Sequence, residues 1–224
     1  MLHLETVEPG TLELIRQLQE DIPSSFLVGG TSLALRKGYR KSVDIDLFLR
    51  EEFDSEALSN YLFKKYKFYE TFRRNCTLKG FIENVKIDII RYDYDFVAKP
   101  DIIEGVRMLS IPDIIAMKLA VITDNGTRVK DFVDIAYLST EYSLQQMVSF
   151  FNEKFPQKNS IQAVMALTYY TDIDHSDTVN LIGHDYKWQD IKTRLESMTQ
   201  YFEKIFSQPP CQKTVNEGKS FKMR

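Results

Sequence analysis

The residues of this sequence whose types and spacing could do chemistry are an aspartate pair and a glycine pair, with thirteen residues between them. Asp44 and Asp46 alternate with hydrophobic residues, and Gly29 and Gly30 follow the short apolar run 26–28. Residues two apart on a β-strand point to the same face, so both carboxylates could share one cation. Mg²⁺ is usually held by a few carboxylates together with substrate phosphates and water. The segment therefore predicts a site for a divalent metal and a phosphate.

A third aspartate, Asp88, has the same setting between two isoleucines on a later predicted strand. If the two strands are neighbours in a sheet, the three carboxylates converge. Phosphoryl and nucleotidyl transfer needs the nucleotide held still, its charge neutralised and an attacking hydroxyl aimed in line. We expect Asp44, Asp46 and Asp88 to bind the metal, and Asp88 also to help deprotonate the attacking hydroxyl.

The glycine pair stands where the strand is expected to give way to a helix. Without side chains, Gly29 and Gly30 let the backbone approach a phosphate, and the following helix N-terminus offers N–H groups and a positive dipole end. Thr31 and Ser32 add hydroxyls to the same corner. The spacing matches neither the dinucleotide-binding G-x-G-x-x-G pattern nor a Walker A loop. We predict that these four residues bind the phosphates of a nucleotide.

Each of these features also has a purely structural interpretation. A Gly-Gly pair by itself usually marks a turn, and an Asp-Ile-Asp run is usually the wet face of a half-buried strand. Aspartate is nevertheless a poor strand former, so three of them in strand positions cost β-propensity three times. Local penalties of this kind tend to mark sites, and we therefore favour the functional interpretation.

Hydrophobic periodicity predicts the elements that must position these residues. The first half reads helix, strand, helix, strand, helix and then a meander of strands, which predicts a small mixed-sheet lobe over residues 1–104. The two strands that matter are Ser42–Leu49 and Val85–Arg91, each with alternating hydrophobic residues. The helix between the glycines and the first aspartate strand is expected over Thr31–Lys37.

The second half of the chain has helical patterns. Ser110 and Asp113, three residues apart with a proline between them, predict the start of a helix that runs to about Ile122. Further helical patterns follow, so we expect an all-helical lobe over residues 105–206. Residues 207–224 contain two adjacent prolines and scattered lysines, and are predicted to be a flexible tail. The expected fold class is α+β.

The composition is that of an ordinary globular protein. The 224 residues are 43% hydrophobic and 27% charged, with a net charge of -3, so any nucleic-acid-binding surface must be a local patch. Cys76 and Cys211 lie far apart and match no metal or redox spacing. No stretch approaches the roughly 18 apolar residues of a membrane span. We expect a cytoplasmic protein that does not contact membranes.

Basic residues form two groups near the predicted site. One group lies between the glycines and the aspartates: Arg36, Lys37, Arg40 and Lys41. A second group lies near the strand meander: Arg73, Arg74 and Lys79. Such charges could guide a nucleotide or an RNA backbone, although a solvated loop is the expectation for most of the first group.

The order Val28-Gly29-Gly30, then Asp44-Ile45-Asp46-Leu47, then a lone strand aspartate at Asp88, resembles the nucleotidyltransferase superfamily of the polymerase-β type. The resemblance implies that the glycine corner grips a triphosphate, that the paired acids bind metal and that the third acid assists the attacking hydroxyl. The implied metal is Mg²⁺, with Mn²⁺ as the alternative.

Two segments of the second half, 116–120 and 125–138, are similar to the nucleotidyl transferase AbiEii/AbiGii toxin family, which has a lysine on one helix and a basic-Asp-x-x-Asp run on the next. The similarity extends over roughly residues 25–205. It implies that Lys118 contacts the nucleotide phosphates or base and that Asp134 completes the site. Asp131 is the other candidate for this acid, and a plain surface pair with the lysine four residues earlier is an open alternative for Asp134.

The resemblance implies an enzyme that transfers NMP from an NTP to a hydroxyl acceptor, with tRNA as the favoured acceptor. It further implies the toxin of a toxin–antitoxin or phage-exclusion system, with an antitoxin encoded nearby. Two other interpretations stay open at this point. One is a non-catalytic nucleotide-binding or antitoxin-like module, and the other is a nucleotidyltransferase that modifies a small molecule such as an antibiotic.

Overall fold

A computed structural model describes residues 1–214, within which the chain forms seven β-strands and eight α-helices. The strands are β1 (Phe26–Leu27), β2 (Ile45–Leu49), β3 (Tyr69–Arg74), β4 (Thr77–Ile82), β5 (Val85–Arg91), β6 (Asp101–Ile103) and β7 (Val106–Met108). The helices are α1 (Thr11–Asp21), α2 (Gly29–Lys37), α3 (Ser55–Tyr66), α4 (Ile111–Asp124), α5 (Val129–Leu138), α6 (Leu144–Lys154), α7 (Ser160–Ala166) and α8 (Trp188–Gln200). The predicted fold class, a mixed sheet followed by helices, is confirmed.

The strands form one mixed sheet in the order β3-β4-β5-β2-β1-β7-β6. The central strands β2 and β5 run parallel, and β1 lies antiparallel to β2 on the other side. Strands β3, β4 and β5 form the antiparallel meander that the sequence predicts. The parallel β2–β5 pair is decisive for the site, because parallel neighbours in register place matching residues side by side.

Two hydrophobic cores underlie the two halves of the chain. One lies between the sheet and helices α1 and α3, and includes Leu18, Leu62 and Ile87. The other surrounds α4 and α5, and it also takes in Val28 and Leu33 from the first half. Because these two residues flank the glycine pair, the corner between β1 and α2 is anchored in the core of the helical half.

Local sequence explains where the helices begin. The carboxylate of Asp54 accepts hydrogen bonds from the N–H groups of Glu56 (2.9 Å) and Ala57 (3.1 Å), and so caps α3. The hydroxyl of Ser110 accepts from the N–H of Asp113 (3.1 Å) at the start of α4. None of the helices within residues 1–214 combines the length and the apolar composition of a membrane span.

The hairpin β6–β7 lies on both sides of the predicted lobe boundary at 104/105. Strand β7 runs parallel to β1, with Leu27 opposite Met108, and β6 forms the edge of the same sheet. Residues 106–108 therefore belong to the sheet and not to the helical lobe. Three-residue strands carry too little alternation to predict them from the sequence.

The tail predicted over residues 207–224 differs from the structure in its first eight residues. Cys211 is buried in the core of the helical half. The N–H of Asp185 donates to the carbonyl of Gln212 (3.0 Å), and the N–H of Thr214 donates to that of Gly183 (3.1 Å). Residues 207–214 are thus held by the fold, while 215–224 lie outside the described residues.

Candidate active site

The parallel strands β2 and β5 place Asp46 directly beside Asp88, as register partners on the same face of the sheet. Asp44 lies one residue before β2 begins, two residues from Asp46. Burial raises the pKa of Asp46 to about 6, and the negative charges of Asp88 and Asp44 add to this effect. The three predicted acids are therefore neighbours whose charges oppose one another.

Two lysines lie beside Asp88, which is only 5% exposed. Lys79, its cross-strand partner on β4, places Nζ 2.8 Å from Oδ2, and Nζ of Lys86 is 3.5 Å from the same oxygen. The other carboxylate oxygen, Oδ1, is buried without a hydrogen-bond partner among the described residues. A buried acceptor without a partner is costly, so Oδ1 is a position where a ligand proton or cation would be stabilised.

The corner between β1 and α2 has room only for glycine. Gly29 has a φ of +69°, and a β-carbon there would lie 2.5 Å from Oδ2 of Asp46. A β-carbon on Gly30 would lie 2.5 Å from Nη2 of Arg40. Both glycines form the first turn of α2, which begins two residues earlier than predicted. The unpaired N–H groups of this helix N-terminus therefore lie next to Asp46.

Thr31 and Ser32, whose hydroxyls were predicted to bind phosphates at the corner, are both buried beneath it. The Thr31 hydroxyl donates to the backbone carbonyl of Asp44 and lies 3.0 Å from Oγ of Ser42. The Ser32 hydroxyl has no hydrogen-bond partner within residues 1–214. Thr31 thus positions the backbone that carries Asp44, which corrects the prediction that its side chain contacts a nucleotide.

The opposite wall of the cleft comes from the helical half. A cavity of about 220 Å³ lies between the glycines and β2–β5 on one side and α4 on the other, and an adjoining cavity of about 350 Å³ extends past Asp44. Lys118 and Asp131 line both cavities. Nζ of Lys118 lies 2.6 Å from Oδ1 of Asp131 and 2.6 Å from Oδ2 of Asp134.

Asp134 lies behind Lys118 and is fully buried, so it does not have the predicted contact with a nucleotide. Its carboxylate accepts from Nε (2.6 Å) and Nη2 (2.8 Å) of Arg40 and from the Tyr39 hydroxyl (2.7 Å). Burial alone would raise the pKa of Asp134, but the Arg40 and Lys118 charges hold it well below its usual range. Of the two acids left open by the sequence, Asp131 lines the cleft and Asp134 anchors Lys118 and Arg40.

Three further cations belong to this site, of which the sequence placed Arg40 and Lys79 in its two basic groups and did not single out Arg128. Most of the first basic group was expected to be a solvated loop, but the side chain of Arg40 is 4% exposed and fixed to Asp134 across 94 residues of chain. Lys79 faces Asp88, and Arg128 lines both cavities. The alternative surface pair of Asp134 with Lys130 is wrong, because Lys130 lies 3.4 Å from Asp177 instead. The sequence carries no local signal for such long-range pairs.

A larger cavity, about 700 Å³, lies between the C-terminal end of α4 and α7. Its acidic groups are Asp124, which is paired with Lys158, and Asp172. The cleft formed by the 220 Å³ and 350 Å³ cavities is the better candidate for chemistry, because the three aspartates, the glycine corner and Lys118 line it.

The acids of the cleft fit a divalent cation held together with a substrate. Within residues 1–214, no group of three or more His, Cys, Asp and Glu side chains could by itself hold a metal ion, so the predicted ligand set of Asp44, Asp46 and Asp88 is not formed by the protein alone. Mg²⁺, however, is usually bound by one or two carboxylates and completed by phosphates and water. The raised pKa of Asp46 and the unpartnered Oδ1 of Asp88 both indicate negative charge that a bound cation would offset.

Comparisons with known proteins identify the family. The family model described as "Nucleotidyl transferase AbiEii toxin, Type IV TA system" matches residues 14–210. An uncharacterized protein of Aquifex aeolicus (strain VF5) is 25% identical over 185 residues, which is 80% of this chain and 84% of that protein.

Two solved structures share the fold. A candidate nucleotidyltransferase from H. pylori has a TM-score of 0.56 and 18% identity, over 86% of this chain and 91% of that one. MenT4, a nucleotidyltransferase toxin from Mycobacterium tuberculosis H37Rv, has a TM-score of 0.50 and 12% identity, over 84% and 82%. The chain belongs to the AbiEii nucleotidyltransferase toxin family and is an enzyme of the kind that transfers NMP from an NTP.

Proposed function

We propose that this protein is a Mg²⁺-dependent nucleotidyltransferase that transfers NMP to a hydroxyl of an RNA, and that it acts as the toxin of a toxin–antitoxin or phage-exclusion system. The favoured acceptor is tRNA, and Mn²⁺ is the alternative metal. The tRNA assignment rests on the family resemblance described above.

The observation that carries the proposal is the placement of Asp46 and Asp88 side by side at the glycine corner. A triphosphate bound by the N–H groups of α2 would lie next to both carboxylates. Nothing larger than glycine fits between Gly29 and Asp46, so the close approach of backbone and acid is built into the fold.

The proposed reaction divides the work among residues of the cleft. The acceptor hydroxyl attacks the α-phosphorus, its proton passes to Oδ1 of Asp88, and pyrophosphate leaves. Mg²⁺ held by Asp44 and Asp46 would neutralise phosphate charge when bound. Lys118, fixed between two carboxylates, would offset the charge that develops on the phosphates.

The toxin role is supported by the chain's membership of a toxin family and by its structural likeness to MenT4, itself a nucleotidyltransferase toxin. In this role the protein would have an antitoxin encoded nearby. NTPs and tRNA are molecules of the cytoplasm, so the proposal also places the protein there.

The experiment is incubation of the purified protein with each α-³²P-labelled NTP, total RNA and Mg²⁺, followed by separation of the labelled species. We expect label in RNA of tRNA length, sensitive to EDTA and restored by Mg²⁺ or Mn²⁺. The Asp46→Ala protein should incorporate no label, whereas the matched control Asp95→Ala, at an exposed carboxylate, should behave like the parent.

Other outcomes would contradict the mechanism or favour a different function. Labelling by Asp46→Ala as fast as by the parent contradicts the proposed mechanism. NTP binding without transfer to any RNA favours a non-catalytic module. Label that enters an added antibiotic and not RNA favours a small-molecule nucleotidyltransferase.

A further inference from the structure

The sheet face that carries Asp88 continues outward over β4 and β3, beyond the cleft. Residues directly opposite one another in antiparallel strands point to the same face. Three cross-strand rows follow from the register: Tyr69–Phe81–Lys86, Phe72–Lys79–Asp88 and Arg74–Thr77–Ile90. The second row leads from an aromatic ring, through a lysine, to the proposed base. We call the six aromatic and basic residues of these rows the outer face: Tyr69, Phe72, Arg74, Lys79, Phe81 and Lys86.

The aromatic side chains of the outer face are unusually exposed. Tyr69 is 70% exposed, Phe72 48% and Phe81 37%. The opposite face of the sheet, by contrast, is covered by helices α1 and α3. Large exposed apolar groups that cluster usually mark an interaction surface. Here they alternate with cations, of which Lys79 and Lys86 pair with Asp88, and the cluster is continuous with the catalytic cleft.

On the opposite face of β3, the basic side chain is paired with acids of the protein. Arg73, which the sequence groups with Arg74 and Lys79, points to the α3 side, where it lies 3.2 Å from Glu56 and 3.2 Å from Glu70. Its charge is therefore neutralised within the protein. Arg74 shares the outer face with Lys79, so the predicted basic patch divides between two faces of the sheet.

We propose that the outer face binds the single-stranded 3′ end of the acceptor RNA, with its terminal hydroxyl at Asp88 and the preceding bases stacked on Phe72 and Tyr69. This inference rests on the proposed function and names where its acceptor binds. Exposed aromatic rings that alternate with cations are typical of surfaces that bind single strands, because rings stack on any base and cations neutralise phosphates. Neighbouring strands are about 4.8 Å apart, so Phe72 lies roughly 10 Å from Asp88, within the reach of the nucleotides next to the reacting one.

The experiment measures RNA binding and transfer separately. Binding of a fluorescent single-stranded RNA with a free 3′ hydroxyl is followed by anisotropy at several salt concentrations, without NTP. We expect Phe72→Leu, which keeps apolar bulk but removes the ring, to weaken binding roughly tenfold, and Phe72→Trp to preserve it. Arg74→Gln should reduce the slope of log affinity against log salt by about 0.7.

The matched control is Tyr169→Ala, at an exposed aromatic residue remote from the outer face, which should leave RNA affinity unchanged. In transfer assays, Phe72→Leu should raise KM for RNA with KM for NTP unchanged. If the parent transfers label to RNA while Phe72→Leu and Arg74→Gln bind that RNA like the parent, the outer face is not the acceptor site and the proposed function stands. If the outer-face substitutions weaken binding of duplex RNA as much as binding of single-stranded RNA, the single-strand assignment is overturned. It is also overturned if these substitutions abolish binding of a protein partner and leave the affinity for RNA intact.

Discussion

Asp46 and Asp88 are register partners on parallel strands, so two carboxylates lie side by side on one face of the sheet. Lys79 and Lys86 pair with Asp88, but the pKa of Asp46 is still raised from 3.8 to about 6 by burial and by the neighbouring acids. A cation bound beside Asp46 would therefore lower the cost of its ionised form.

The first prediction concerns pH and stability. An acid with a raised folded-state pKa destabilises the fold when it is ionised, and this cost grows as pH rises from about 4 to about 6. Asp46→Asn should therefore stabilise the protein by about 1–3 kcal/mol at pH 7.5 and by almost nothing at pH 4, as measured by urea unfolding at both pH values. Mg²⁺ should raise the stability of the parent more than that of the variant. A gain of equal size at both pH values would contradict this account.

The second prediction concerns the buried carboxylate behind the cleft. Asp134→Asn leaves Arg40 and Lys118 buried without their shared counter-charge, and should cost about 3–5 kcal/mol of unfolding free energy. Asp177→Asn, at an exposed pair with Lys130, should cost under about 1 kcal/mol. Because the pKa of Asp134 is lowered by its partners, its contribution is present above about pH 4 and is lost as pH falls. Equal urea midpoints for the two variants would be inconsistent with a buried anchoring role.

The third prediction separates backbone strain from close approach at the glycine corner. Gly10 and Gly29 both have positive φ, but a β-carbon on Gly10 meets nothing within 4 Å, whereas one on Gly29 meets Asp46. Gly10→Ala should cost about 1 kcal/mol and leave activity intact. Gly29→Ala should cost more and abolish transfer, because it displaces Asp46. Thermal unfolding and NTP turnover measure the two effects, and an active Gly29→Ala protein would show that the corner tolerates a side chain.

The fourth prediction concerns Lys118. If its ammonium stabilises charge on the phosphates, Lys118→Met should lower kcat/KM by about 10²–10³. Lys118→Arg, which keeps the charge, should retain more activity, and Lys64→Met, at an exposed position of α3, should match the parent. Since Lys118 also pairs with two buried acids, melting temperatures are measured in parallel. Unchanged kcat/KM in a folded Lys118→Met protein would exclude this role.

The sequence could predict those features of the fold that depend on interactions between near neighbours in the chain. The alternation around Asp46 and Asp88 predicts both strands, although β2 begins at Ile45 and not at Ser42, so that Asp44 precedes the strand. The parallel pairing of the two strands had to be supplied by the fold. The cap at Ser110 likewise predicts the start of α4 because capping is a local interaction.

Long-range relationships account for what could not be predicted. Arg40 and Asp134 lie 94 residues apart, and neither has a local pattern that distinguishes a buried pair from a surface charge. Helical spacing left Lys130 open as a partner of Asp134, but the Lys130 side chain pairs with Asp177. The short strand β7 follows from its pairing with β1, and β6 from its pairing with β7, and not from their own sequence.

The central claim, that the Asp44–Asp46–Asp88 cleft transfers NMP, is tested most directly by measuring pyrophosphate release together with label incorporation. With Mg²⁺, α-labelled NTP and RNA, the parent should release one pyrophosphate for each NMP incorporated. A folded Asp46→Ala protein should release none above background, and Asp95→Ala should match the parent. Pyrophosphate release by Asp46→Ala at the parent rate would contradict the account.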